Sequence, residues 1–219
     1  MSTPLYIRQL QLGPMENFVY LVGARDAPEV VVVDPAWDVE AIERAAQEDE
    51  KRIVAAFASH SHGDHINGLP ELLRRHDIPV YAQRAEVDFS ADLRDAGDAL
   101  RPLAPGDELE IGPLRAKALH TPGHTPGSQC LWLADTVASG DTVFVNACGR
   151  CDLKGGDPEA MFRTIRTVLM QLPEETVLLP GHDYGDVKVS TLGRERKNNP
   201  YFQYPDLASF VAYRMRPRR

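Results

Sequence analysis

Two hydrophobic rhythms alternate along the first half of the chain. Residues 18–22 and 30–34 are short apolar runs separated by Gly23, Asp26 and Pro28, which predicts a β-hairpin, with Asp34-Pro35 ending its second strand. Over 38–50, Val39, Ile42 and Ala45 or Ala46 recur at helical spacing among charges, predicting an amphipathic helix capped by Asp38. Residues 53–58 then read as a buried strand, 66–75 as a helix and 78–82 as a further strand, a β-α-β-α-β run.

The pattern changes after that. Residues 85–99 read as helix and loop. The segments 108–111 and 114–119 flank Gly112-Pro113 and pair as a hairpin; 128–133 and 136–139 make another, turning at Ala134-Asp135. Over 157–172, Met161, Ile165, Val168 and Leu172 line one face of a predicted helix, with Asp157 as cap and Pro158 in the first turn. A strand is expected over 176–179 and helices over 191–198 and 206–213. Strands and helices thus occur in two halves of similar content.

Composition narrows the options. With 219 residues, 43% of them hydrophobic, the chain can bury a sizeable core without disulfides. Its net charge of −8 argues against a non-specific nucleic-acid binder. The basic cluster Arg214, Arg216, Arg218 and Arg219 reads as a solvated terminus. No stretch approaches the ~18 apolar residues of a membrane span, and residues 1–12 lack the basic-then-apolar pattern of a signal peptide. Three cysteines are too few for a disulfide framework. The expectation is a cytoplasmic protein with reduced thiols, without nucleic-acid or membrane partners.

The chemistry concentrates in four places. Ser59-His60-Ser61-His62-Gly63-Asp64-His65 stands where an apolar strand gives way to a helix. Alternate residues at a strand end project to one side, so His60 and His62 can hold one ion together, while Asp64 and His65 turn back at the start of the helix. Three imidazoles and a carboxylate this close suit a borderline cation such as Zn²⁺, and three of the chain's seven histidines fall in this window. The second place is Thr121-Pro122-Gly123-His124-Thr125-Pro126-Gly127, a stiff loop that fixes one imidazole. The third is Gly140-Asp141-Thr142 and the fourth Pro180-Gly181-His182-Asp183-Tyr184, each directly after a strand. His76 and His120 are explained by surface and loop positions, and Cys148-x-x-Cys151 as a coincidence beside the site.

Together, His60-x-His62-x-Asp64-His65, then His124, Asp141 and His182, resemble the metallo-β-lactamase superfamily over nearly the whole chain. The resemblance implies an α/β fold, the four-layer αβ/βα sandwich, formed as one domain over 1–219, with metals at the shared edge of its two sheets. It implies His60, His62 and His124 around a first metal, Asp64, His65 and His182 around a second, and Asp141 bridging both. Two Zn ions are expected, with Fe or Mn as substitutes. Zinc lowers the pKa of bound water from ~15.7 to about 7, so a metal-bound hydroxide can attack without a serine or cysteine nucleophile. Superfamily chains used only for binding commonly lose ligands, and all seven are retained here.

Within the superfamily, 147–153 with Gly156-Asp157, the stretch 180–184, and 190–195 with Asn199-Pro200 resemble the glyoxalase II group. That implies hydrolysis of a hydroxyacylglutathione-like thioester, with Arg150 and Tyr184 contacting the glutathione part of a small-molecule substrate. Arg150 reads equally well as one half of an ion pair that stabilises the fold. Two alternatives stay open. Persulfide dioxygenases share these motifs but use a single Fe, which would sit on His60, His124 and Asp141. A lactone or other ester would suit the same hydrolytic centre.

Overall fold

The computed structural model describes residues 3–216. The first half forms a six-stranded sheet in simple chain order. Its strands are β1 (Leu5–Leu12), β2 (Asn17–Ala24), β3 (Glu29–Val33), β4 (Arg52–Phe57), β5 (Val80–Gln83) and β6 (Leu100–Leu103). The expected hairpin is β2–β3, antiparallel with Tyr20 opposite Val33; β3, β4, β5 and β6 then run parallel. The crossovers carry α1 (Val39–Glu48), α2 (Gly63–Ile66), α3 (Leu69–Arg75), α4 (Arg84–Phe89) and α5 (Ala91–Arg94).

The second sheet has six strands in the order β14-β13-β10-β9-β8-β7. These are β7 (Glu108–Ile111), β8 (Leu114–His120), β9 (Gln129–Leu133), β10 (Thr136–Gly140), β13 (Val177–Pro180) and β14 (Ser190–Thr191), with the small hairpin β11 (Val143–Phe144) and β12 (Ala147–Cys148) between. Both expected hairpins are present, β7–β8 and β9–β10. The helices of this half are α6 (Pro158–Thr167), α7 (Leu192–Asn198), α8 (Pro200–Gln203) and α9 (Leu207–Arg214).

Three apolar layers hold this together. Strand β2 is buried along its whole length, because both of its faces are covered. Val19 and Leu21 face outward and pack with Ile42, Leu69 and Leu72 of α1 and α3. Phe18, Tyr20 and Val22 face inward, with Phe57, against Leu109, Ile111, Leu131 and Leu133 of the second sheet. On the far side, Val137 and Leu178 pack with Met161, Ile165, Leu192 and Phe210 of the helices. Helix, sheet, sheet, helix is the four-layer arrangement expected.

The local caps follow the sequence. Asp38 accepts from Ala41 N at 2.9 Å, Asp157 from Glu159 N and Ala160 N at 2.8 and 2.9 Å, and Asp206 from Ser209 N at 2.9 Å. Three expectations need correction. The helix expected over 66–75 is two helices, α2 and α3, broken at Asn67-Gly68, where Gly68 N donates to Pro35 O at 3.2 Å. The helix expected over 157–172 ends at Thr167 and continues as a 3-10 turn, Leu169–Gln171. The basic cluster is not wholly solvated: Arg214 is buried, while Arg216 is exposed against the Tyr213 ring. Arg218 and Arg219 lie outside the described residues.

Candidate metal centre

The four motifs meet at one edge of the sandwich. His60, His62, Asp64 and His65 follow β4; His124 lies in the loop from β8 to β9; Asp141 follows β10; His182 follows β13. The two sheets touch at this point. Phe18 N donates to Gly181 O at 2.8 Å, and Asn17 bridges to His182.

Seven side chains form two sets. In the first, His62 Nδ1 is 3.1 Å from His60 Nε2 and 2.9 Å from His124 Nε2. In the second, His65 Nε2 and His182 Nε2 are 3.0 Å apart, each 3.4 Å from Asp64 Oδ2. Asp141 reaches both: Oδ1 lies 3.2 Å from His65 Nε2 and 3.4 Å from His182 Nε2, and Oδ2 lies 3.4 Å from His124 Nε2.

The far nitrogens fix which atoms face inward. His65 Nδ1 donates to Asp34 Oδ2 at 2.9 Å, His124 Nδ1 to Arg150 O at 2.7 Å and His182 Nδ1 to Met15 O at 2.9 Å. Ser59 Oγ donates to Asp34 Oδ2 at 2.6 Å and so can accept from His60 Nδ1 at 3.0 Å. Each of these four rings, when neutral, therefore turns the lone pair of Nε2 to the centre. Nitrogen lone pairs that converge at such distances without protons between them repel. The carboxylates around them call for positive charge. Asp141 Oδ1 is buried and accepts no hydrogen bond. A divalent cation satisfies all three conditions, and imidazole with carboxylate is a donor set for zinc, iron or manganese.

Burial and the neighbouring charges set the titration of these groups in opposite directions. Burial, and then the neighbouring imidazoles, push His60 well below the ordinary histidine value, and burial also lowers His62. Burial acts against protonating His65 as well, but the Asp141 and Asp34 carboxylates outweigh it and hold His65 high. Burial alone would raise Asp141; His65, His182 and His124 instead keep it well below the usual carboxylate range.

Three supporting residues carry no motif signal. Asp34, read from sequence only as a strand end, accepts from Ser59 N at 2.6 Å in addition to Ser59 Oγ and His65. Glu86, fully buried, accepts from Ser61 N at 2.8 Å and from Thr125 Oγ1 and Gly127 N at 2.7 and 2.9 Å, which ties the His60–His65 loop to the His124 loop. Asn17 accepts from Trp37 Nε1 at 2.9 Å, and this fixes its amide so that Nδ2 donates to Asp64 Oδ2 at 2.9 Å.

A cleft of about 860 Å³ opens over the centre, and both Arg150 and Tyr184 line it. Tyr184 stacks on His182, ring centroids 4.5 Å apart and 7° from parallel. The Arg150 guanidinium is forked onto Asp152, Nε to Oδ1 at 3.0 Å and Nη2 to Oδ2 at 2.8 Å. Cys148 lines the cleft; Cys148 and Cys151 are both buried and not in disulfides. Glu195 and Asn199, from the late motif, support the wall: Glu195 accepts from Asn146 N at 2.7 Å, and Asn199 Nδ2 donates to Ala147 O at 2.9 Å. His76 pairs with Glu43 at 2.7 Å, and His120 meets Pro126 O at 2.9 Å, both away from the two donor sets.

The chain belongs to the metallo-beta-lactamase superfamily, whose profile matches residues 12–182. It is 32% identical over 200 residues to the probable polyketide biosynthesis zinc-dependent hydrolase BaeB of Bacillus velezensis, covering 91% of this chain and 88% of that protein. It is 30% identical over 208 residues to the human mitochondrial persulfide dioxygenase ETHE1, covering 91% of this chain and 76% of that one. Among solved structures, ETHE1 from Myxococcus xanthus superposes with a TM-score of 0.86 at 28% identity, over 98% of this chain and 92% of that chain. TTHA1623 in a di-iron-bound form superposes with a TM-score of 0.74 at 30% identity, over 89% of this chain and 99% of that one. These relatives do not single out the glyoxalase II group within the superfamily. No helix among the described residues is long and apolar enough to cross a membrane.

Proposed function

We propose that this chain is a metal-dependent hydrolase that cleaves a thioester of the hydroxyacylglutathione type at a two-metal centre. The observation that carries this reading is the pair of donor sets with Asp141 in contact with both. His60, His62 and His124 would hold one ion, Asp64, His65 and His182 the other, and Asp141 would bridge. Bound there, zinc would polarise the thioester carbonyl and supply an ionised water near neutral pH.

The chain's own residues do the positioning. The partners of the far nitrogens hold the imidazoles in their ligating orientation, so little reorganisation accompanies ion binding. Asn17 pins one oxygen of Asp64 at the edge of the cleft. Tyr184, half exposed above His182, and Arg150 stand on the wall where the leaving-group half of the substrate would lie. A phenol there can donate to a peptide carbonyl, and a guanidinium can pair with a carboxylate.

A second reading is a persulfide dioxygenase with a single iron on His60, His124 and Asp141. The similarity to human and Myxococcus xanthus ETHE1 favours it. Hydrolysis of a lactone or another ester would use the same centre as the first reading. The deciding experiment is elemental analysis of protein purified without a metal-binding tag, with assays on S-D-lactoylglutathione and glutathione persulfide. Near two zinc per chain with thioester hydrolysis supports the hydrolase. One iron with persulfide oxidation and no thioester turnover overturns it.

A further inference from the structure

Four of the five histidines at the centre have a far nitrogen tied down: His60 to Ser59, His65 to Asp34, His124 to the Arg150 carbonyl and His182 to the Met15 carbonyl. His62 is the exception. It turns Nδ1 to the centre, and no hydrogen bond reaches its Nε2 among the described residues. The ring is only partly buried and lines the cleft. Its direction is set by the backbone on which it stands.

That backbone is held by Glu86, the fully buried carboxylate of α4. Oε1 accepts from both the N–H and the hydroxyl of Ser61, at 2.8 and 2.5 Å, and Ser61 is the residue between His60 and His62. Oε2 accepts from Thr125 Oγ1 and Gly127 N at 2.7 and 2.9 Å, and Thr125 follows His124. With its own proton on Glu86, the Thr125 hydroxyl accepts from Ser128 Oγ at 2.7 Å, and Ser128 Oγ accepts in turn from Thr125 N at 3.0 Å. Four donors thus converge on two oxygens, and a glutamine of the same shape would set its NH2 against two of them. The packing leaves no slack: a Cβ on Gly127 would lie 2.1 Å from Glu86 N. Asp64, His65 and His182 make no hydrogen bond to Glu86; their supports are Asn17, Asp34 and the Met15 carbonyl.

We propose that Glu86 is the positioning residue of the first donor set. Through Ser61 and Thr125 it aims His62 at the point that His60 and His124 face, so the affinity of that set for its ion depends on Glu86 and the affinity of Asp64, His65 and His182 for theirs does not. This rests on the two-metal reading above and gives the two ions separate supports.

The test is calorimetric titration of metal-free protein with zinc in two backgrounds. His182→Ala leaves the first donor set whole, and His62→Ala leaves the second. Adding Glu86→Gln should weaken zinc binding about 10–100-fold in the His182→Ala background, the usual cost of losing an outer partner of a metal ligand, and by no more than about twofold in the His62→Ala background. Thr125→Val removes one strut and keeps the carboxylate; it should show the same selectivity to a smaller degree, and it carries the test if Glu86→Gln does not fold. Equal weakening in both backgrounds would make Glu86 a general support of the fold, and unchanged affinity in the His182→Ala background would take it out of the centre; either result overturns the proposal. If the wild type binds one zinc only, the two-metal reading falls instead, and the His182→Ala pair still decides the role of Glu86.

Discussion

Arg214 Nε donates a 2.9 Å hydrogen bond to the carbonyl of Gly149, 65 positions earlier in the chain. Gly149 packs so closely that a Cβ would overlap the Asp141 carbonyl and lie 3.0 Å from the His124 ring. The last helix therefore braces backbone that touches two candidate ligands. The guanidinium is buried 5.8 Å from the Tyr201 ring centroid. Arg214→Ala would leave the Gly149 carbonyl with only the weak Cys151 thiol as donor, at a cost of about 1–3 kcal/mol. A lowered denaturant midpoint is the expected outcome; a wild-type midpoint would show that the contact contributes nothing.

The centre itself is tested by its ligands. His60→Ala or His124→Ala should lose bound metal and activity while keeping the wild-type far-ultraviolet circular dichroism, because the three apolar layers lie away from these side chains. Asp141→Asn should lower occupancy of both sites and cut turnover by orders of magnitude, since a neutral amide cannot balance two cations. Elemental content measured beside the rate decides. Full activity in either histidine variant, or two ions and a near-normal rate in Asp141→Asn, would remove that residue from the centre.

The wall residues should move a different parameter. Tyr184→Phe and Arg150→Ala remove binding shared by ground and transition states, so KM for a glutathione thioester should rise with kcat little changed. For the tyrosine, loss of a neutral hydrogen bond of about 1 kcal/mol corresponds to roughly fivefold. Steady-state kinetics on a glutathione thioester and on a small generic thioester separates the cases. Unchanged KM for both substrates in both variants would take glutathione out of the picture.

Alkaline conditions should weaken the fold through its buried thiols. Burial pushes Cys130 from 9.0 up to about 11, and burial likewise raises Cys151 to about 11. Between those values the unfolded chain releases protons that the folded chain keeps, so stability is full below pH 9 and falls as pH rises towards 11. Urea midpoints across this window should decline less steeply in Cys130→Ala than in the wild type. Parallel slopes would mean that the thiol does not contribute.

Much of the candidate centre could be read from the chain because its candidate ligands are chemically unusual and sit at the ends of apolar runs. His60, His62, Asp64 and His65 fall within six positions, and His124 stands between two Pro-Gly pairs. The supporting residues could not be read in this way. Asp34, Asn17 and Glu86 are single polar residues whose meaning arises only when remote segments meet, with Glu86 buried under two loops from opposite sheets. Strand β1 was missed because only one of its neighbours is a strand and most of its residues are half-buried, so its apolar alternation is weak. Charge alone suggested solvent for Arg214, yet its place in the last turn of α9 turns it inward to Gly149.

His60, His62 and His65 are delivered by the first sheet, and His124, Asp141 and His182 by the second. An ion held by both groups would rivet the two halves of the sandwich. By mass action that rivet adds about 4 kcal/mol when free ion exceeds its dissociation constant a thousandfold. Starvation for metal would then do more than silence the enzyme. It would loosen the join between the halves, expose the chain to proteases and shorten its lifetime in the cell.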